Sequence, residues 1–314
     1  MTPAPLNLNG LIPATVLPMR RGGAPDDAGL RSYIRWVASQ GPVAVALNAD
    51  TGEGPHLTHA EKLHVLEVVR EETDLPIVAG VSGPFTAQAV QQARDLQAAG
   101  ASALLVFPIP AYLSTPLDRA IPLEYHRAIA DVGLPLVLFQ LQPALGGVNF
   151  EVQTLRALIE IEGVVAMKEA SFDARRYLDT FRMVEGTDKY RRGEFTYLTG
   201  NDNFILESFV LGCTGALIGF GSIMVAEQVA MIDAWREGRA DEARELGRRV
   251  QRLADVVFAP PVASYRARLK TALVMLGVLE DDSVRPPLLP IDEAERRTLR
   301  AALDEAGLRA GATA

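Results

Sequence analysis

Short apolar runs and amphipathic segments take turns along this chain eight times over, and that alternation limits the available folds more than any other feature. The apolar runs are Gly10–Leu17, Val43–Leu47, Pro76–Val81, Ala103–Phe107, Pro135–Gln140, Val164–Lys168, Phe195–Thr199 and Gly215–Phe220. They are continuous rather than alternating, the pattern of strands buried on both faces of a parallel sheet. Between them lie segments of helical period. Asp26–Ser39 carries Leu30, Tyr33, Ile34 and Val37 on one face, and Thr58 with Glu61 forms a capping box that opens a helix reaching Glu72. Thr86–Ala99 is stopped by Gly100. Leu117–Val132, Phe150–Ile159, Tyr177–Val184, Phe204–Leu211 and Val225–Glu237 complete the series.

An α/β chain with eight such units is expected to close into a (β/α)8 barrel, the TIM-barrel architecture. An open doubly wound sheet is the alternative, but the first strand–helix turn lacks Gly-x-Gly-x-x-Gly. The expected division is residues 1–238 for the barrel and 239–314 for a C-terminal helical extension packed on it. The extension holds Ala240–Val257, Val262–Leu279 and Ile291–Ala306, all of helical period.

Charge and composition narrow the function. The net charge is −8 and no dense basic stretch occurs, so neither nucleic acid nor an anionic membrane is an expected partner. Arg244–Arg252 alternates with apolar residues and reads as the wet face of a helix. The only cysteine, Cys213, reads as a small buried packing residue and excludes a disulfide framework. His56, His59, His64 and His126 show no metal-ligand spacing, and His56 and His59 read as solvent-facing at a helix start. No metal and no cofactor are therefore expected. No run reaches the length of a membrane span, and Met1–Pro5 lacks the pattern of an export signal, so the expectation is a cytoplasmic protein.

Barrel sites lie at the C-terminal ends of the strands. The second strand is followed by Asp50, Thr51, Gly52 and Glu53, and the fourth by Pro110 and Tyr112. Phe139 and Gln140 end the fifth. Gly200, Asn201 and Asp202 follow the seventh, and Leu217, Ile218 and Gly219 end the eighth. In Gly163–Ser171, an apolar run meets Lys168. Apolar surroundings favour the neutral amine, which attacks carbonyl carbon. The alternative is a lysine whose stem packs while its ammonium reaches water.

These residues carry a resemblance. Ala49-Asp50-Thr51-Gly52-Glu53 resembles the Gly-Thr-Thr-Gly-Glu type motif of the dihydrodipicolinate synthase / N-acetylneuraminate lyase family, and Lys168-Glu169-Ala170-Ser171 resembles its Schiff-base lysine segment. Gly200-Asn201-Asp202, Gly215–Phe220, Gly10–Ala14 and Leu269–Gly277 also fit, so the likeness runs from about Leu8 to Leu308. The resemblance implies a metal-free class I aldolase chemistry, in which Lys168 forms an imine with a 2-oxo acid such as pyruvate. It implies that Thr51 and neighbouring N–H groups, Gly52 among them, hold the substrate carboxylate. It also implies that Gly200, Asn201, Leu217 and Ile218 border the substrate, and that Tyr112 completes a neighbouring subunit's site in a homotetramer, a dimer of dimers.

The departures from the family pattern are equally specific. Its proton-transfer tyrosine falls on Phe139, which can neither give nor take a proton. Its first motif threonine is Asp50, and no arginine occurs in Gln140–Ala144 to match that of true dihydrodipicolinate synthases. Asp50 is then a candidate for part of the acid–base work, with Gln140 adding hydrogen bonds; the other reading is that Asp50 orders its own loop. Glu53 reads as an acceptor of backbone N–H groups in its loop, and Glu169 as a group paired inside the barrel rim. Three functions follow: a lyase making or breaking a carbon–carbon bond beside a 2-oxo acid, a dehydratase of a 2-keto-3-deoxy sugar acid using the same imine, or a non-catalytic 2-oxo acid binding protein.

Overall fold

A computed structural model describes residues 6–309. The expectation about Met1–Pro5 therefore lies outside the described residues. Eight parallel strands are present: β1 (Leu11–Pro13), β2 (Val45–Leu47), β3 (Ile77–Val81), β4 (Ala103–Val106), β5 (Leu136–Leu141), β6 (Val164–Ala170), β7 (Thr196–Thr199) and β8 (Gly215–Ile218). Their order is β1-β8-β7-β6-β5-β4-β3-β2. Val43 N–H donates to Leu11 O at 3.0 Å and Thr15 N–H to Ala46 O at 3.1 Å, which brings the two ends of the sheet together. The result is the (β/α)8 barrel that the alternation implies.

The continuous apolar runs have a direct cause. Successive residues of a strand face opposite ways, and in a barrel both ways are dry. Ile12, Ala46, Val78, Leu105, Val137, Ala166 and Leu217 fill the interior of the ring. Their neighbours Leu11, Val45, Ile77, Leu104, Leu138, Met167 and Ile218 pack outward under the helices.

Around the ring run α1 (Asp27–Ala38), α2 (His59–Arg70), α3 (Thr86–Ala98), α4 (Ala120–Ala130), α5 (Val152–Ile159), α6 (Ala174–Glu185), a short α7 (Asp188–Arg191), α8 (Ile205–Val210) and α9 (Val225–Arg236). The capping box of Thr58 and Glu61 is formed at the start of α2. The sequence periodicity does not announce α7, which is a single turn capped by the Thr187 side chain. Of the strands, β1 is shorter than its apolar run, while β5 and β6 run past theirs. Lys168 consequently lies within β6 and is paired in register with Phe139.

The C-terminal helices are α10 (Ala240–Val257), α11 (Tyr265–Met275) and α12 (Glu293–Glu305). Helix α10 packs on α9, and the apolar layer outside the ring continues without a break into Leu253, Leu269, Leu273 and Leu299. The stretch expected as one helix from Val262 is a turn at Val262–Ser264 followed by α11. Every residue of α11 from Tyr265 to Leu273 is buried, and this helix brings side chains from the end of the chain against the loop after β2.

Candidate active site

Lys168 is 5% exposed and points into the ring from β6. Its Nζ stands 4.4 Å from the centre of the Phe139 ring, and among the described residues it has neither a hydrogen bond nor an ion pair. Burial pushes its pKa down to about 8, opposed by the charges of Asp202 and Asp50. The ring face favours the ammonium only modestly at such a distance. The amine is thus held dry and close to its point of neutralisation. Gly200 clears its path: a Cβ there would lie 2.7 Å from Lys168 Cε.

Asp202, named above only as one of the residues that follow the seventh strand, takes a more specific place in the structure. It is 4% exposed and accepts a 2.7 Å bond from Phe220 N–H. Burial pushes its carboxyl up to about 7, while the Phe220 N–H and the lysine charge pull the other way. A carboxyl that exchanges its proton near neutrality therefore sits in the electrostatic field of the amine.

Asp50 and Thr51 are placed by the loop after β2, but their partners come from α11. Tyr265 Oη donates to Asp50 Oδ2 at 2.7 Å and reaches Thr51 Oγ1 at 3.3 Å. Arg266 pairs with Asp50 Oδ1 at 2.5 Å, and its Nε donates to Asp50 O at 2.7 Å. Both Asp50 oxygens are therefore engaged, one by a guanidinium and one by a phenol. Gly219 makes room for this group, since a Cβ there would meet Thr51 Oγ1 at 2.9 Å and the Phe258 ring at 3.2 Å. Phe258 in turn stacks on Tyr265 with ring centres 4.7 Å apart.

Neither Tyr265 nor Arg266 was legible as a site residue. They lie more than 200 positions from Asp50, in a helix with no strand end beside it. Gly52 is buried in the same loop, where a Cβ would meet Thr15 O at 2.9 Å.

Glu53 is held differently from the expectation of backbone N–H groups of its own loop. It forms a fully buried ion pair with Lys270 of α11 and accepts the Arg285 N–H at 2.8 Å, although its φ of +56° is costly for a side chain of this kind.

Several other candidates are corrected by strand parity. Phe139 and Lys168 face inward, so Gln140 and Glu169, the next residues of the same two strands, face outward. Gln140 Nε2 donates to Glu169 Oε1 at 3.0 Å and its Oε1 accepts from Phe150 N–H at 3.1 Å, so the amide is engaged outside the ring, away from a substrate inside it. Glu169 also takes Asn201 Nδ2 on Oε2 at 2.7 Å, as the reading of a group paired in the rim implied. Asn201 is fully buried, and its Oδ1 accepts from Phe172 N–H at 2.6 Å. It ties β6 to β7 rather than facing the amine. Leu217 lies inside the ring, whereas Ile218 packs outward.

Tyr112 is only 2% exposed within this one chain, against Tyr125, His126 and Phe150, so its ring is covered on the chain itself and not presented to a neighbour. The histidines also differ from expectation in part: His59 meets Asp95 at 2.8 Å and is only partly exposed. Cys213 is buried, as expected.

Above Asp50 opens a cavity of about 300 Å³ at the mouth of the ring. Its walls include Phe107, Ile109, Leu141, Leu145 and Ser82. No cluster of three or more metal-ligating side chains occurs among the described residues, and no helix there is long and apolar enough to cross a membrane.

A closed parallel barrel, with a dry, unpaired lysine on its sixth strand and a cavity at the strands' C-terminal ends, belongs to the class of (β/α)8 barrels whose geometry suits a lysine nucleophile. Comparison with known proteins identifies the group within that class. The model of the dihydrodipicolinate synthetase family matches residues 7–306, and the chain belongs to this family.

It is 32% identical over 293 residues to the 4-hydroxy-tetrahydrodipicolinate synthase of Methanothrix thermoacetophila, covering 93% of this chain and 94% of that one. Dihydrodipicolinate synthase from Bacillus anthracis superposes with a TM-score of 0.83 at 26% identity, over 95% of this chain and 98% of that one. The chloride-inhibited synthase from Acinetobacter baumannii, solved with pyruvate, gives 0.83 at 25% identity over 96% and 100%.

Proposed function

We propose that this barrel is a Schiff-base lyase that makes or breaks a carbon–carbon bond beside a 2-oxo acid of the pyruvate type. The observation that carries this is the state of Lys168: a buried amine brought down to about 8, without a protein partner among the described residues, on the inward face of β6. A neutral amine there attacks the ketone carbon of the 2-oxo acid. One proton moves from nitrogen to oxygen, the hydroxyl leaves as water on taking a second proton, and a protonated imine remains. That cation draws electrons from the adjacent carbon, so C3 loses a proton and becomes an enamine nucleophile. Membership of the family and the pyruvate held by the A. baumannii protein support the reading.

This chain's own residues divide the work. Thr51, with the N–H groups of its loop, binds the carboxylate. Asp202, at about 7, gives and recovers a proton at neutral pH. The phenol absent at Phe139 has a counterpart in Tyr265, whose hydroxyl touches Thr51 from the opposite end of the chain. With both its oxygens bound, Asp50 serves as a fixed negative charge rather than a free base. The lack of an arginine after β5 argues against the second substrate of true dihydrodipicolinate synthases.

Proton exchange tests the reading. Pyruvate in deuterated buffer should lose its methyl proton signal with the wild-type protein and keep it with Lys168→Met. Equal signals from the two proteins would refute enamine formation at Lys168.

A further inference from the structure

The cavity at the barrel mouth adjoins the amine without being lined by it: its wall residue Phe107 packs edge-on against Phe139 with ring centres 5.1 Å apart, and Lys168 Nζ stands over that same Phe139 ring, so the cavity's lining restricts what a second reactant entering there can be. Three prolines, Phe107, Ile109, Leu141 and Leu145 give it apolar walls, and no lysine, arginine or histidine lines it. Its only ionisable wall group is the Asp50 carboxylate. Two cations stand nearby, but neither lines the cavity. Arg266 is bound to Asp50 and to Ala263 O. Lys62 lies behind the wall, where its Nζ donates to Ser82 Oγ at 2.6 Å. Because Ser82 Oγ accepts from Lys62, its own hydroxyl proton stays free to donate, and Ser82 lines the cavity.

We infer that the second reactant is an uncharged aldehyde with an apolar body, aliphatic or aromatic, and that neither an acidic semialdehyde nor a sugar is the natural partner. This rests on the Schiff-base reading of Lys168. A second carboxylate in this space would meet Asp50 and find no cation in the walls, and desolvating it without a direct partner is costly. Sugar hydroxyls would find Ser82 and the bound Asp50 oxygens, and otherwise hydrocarbon. An apolar body loses nothing on entry and buries surface.

The step balances without any further reagent. The enamine C3 attacks the aldehyde carbon and a carbon–carbon bond forms. The aldehyde oxygen, hydrogen-bonded by Ser82, takes up the proton that C3 had lost, and water then releases a 4-hydroxy-2-oxo acid from Lys168. In the reverse direction the same cavity holds the departing aldehyde.

The test measures kcat/KM for condensation of pyruvate with benzaldehyde, hexanal, succinic semialdehyde and glyceraldehyde, alongside deuterium exchange into pyruvate. The expected result is that benzaldehyde and hexanal exceed the other two by ~10-fold or more, the scale on which a pocket's apolar contacts discriminate. Leu145→Arg, in the loop after β5, should raise the succinic semialdehyde value by ~10-fold or more and lower that for hexanal.

A wild-type preference for succinic semialdehyde or glyceraldehyde, or exchange without condensation of any aldehyde, overturns this inference while leaving the imine reading standing. Absence of exchange overturns both.

Discussion

Tyr265 Oη donates a 2.7 Å hydrogen bond to Asp50 Oδ2 across 215 positions of sequence, so the C-terminal segment supplies part of the barrel's mouth. The neighbouring Arg266 completes the clamp on Asp50. Asp50→Asn should therefore act first on stability. It leaves a buried guanidinium without its anion, and a loss of about 3–5 kcal/mol is expected by denaturant unfolding. Adding Arg266→Met should recover much of it. An unchanged unfolding midpoint in the single variant would show that the clamp contributes nothing.

Tyr265→Phe tests the chemistry of the same contact. The ring and its stack on Phe258 are kept and only the hydroxyl is lost. Turnover should fall by about 100-fold, the scale of a lost proton-transfer group, while imine trapping with pyruvate stays near the wild-type level. Equal losses in trapping and turnover would instead mark Tyr265 as structural.

Gly200→Ala should disable the site without unfolding the barrel. The added methyl would sit 2.7 Å from Lys168 Cε and must push the lysine aside. Displacements of this order cost about 100-fold in rate. The check is trapping rate against circular dichroism, and full trapping by a folded variant would contradict the placement of Lys168.

The pH dependence follows from the lowered amine. With Lys168 at about 8, half of it is neutral at that pH, against about one part in 300 for an ordinary lysine. The trapping rate should rise with pH through about 8 and then level off. Asp202→Asn removes an anion that favours the ammonium, so the midpoint should move lower. A rate still climbing toward 10.5 would mean that the amine is hydrated.

The Glu53–Lys270 pair predicts a second stability effect. Both side chains are completely buried. Either Glu53→Gln or Lys270→Met alone should cost about 3–5 kcal/mol, and the double replacement less than the sum. Simple additivity in a double-mutant cycle would show that the two charges do not act as a pair.

The ring itself was legible because each strand is dry on both faces, which leaves unbroken apolar runs such as Val164–Met167 between helices of clear period. Lys168 stood out for the same reason, as a cation ending such a run. What stayed hidden has two causes. Gln140 sits beside the inward pair Lys168 and Phe139, yet the two-residue period of the strand sends it outward, and which parity faces inward is fixed only once β5 and β6 are paired. Tyr265, Arg266 and Lys270 were hidden because their contacts with the β2 loop depend on how α11 docks, which no local pattern encodes. Asp202 carried a faint signal, a carboxylate just past a strand end, but its perturbation comes from burial that only the fold creates.

Borohydride reduction in the presence of pyruvate, followed by peptide mass mapping, tests the central claim most directly. One reduced pyruvate adduct per chain, located on Lys168 and absent from Lys168→Met, is the predicted result. A folded wild-type protein that gains no adduct, or carries it on Lys62 or Lys270 instead, would contradict the account.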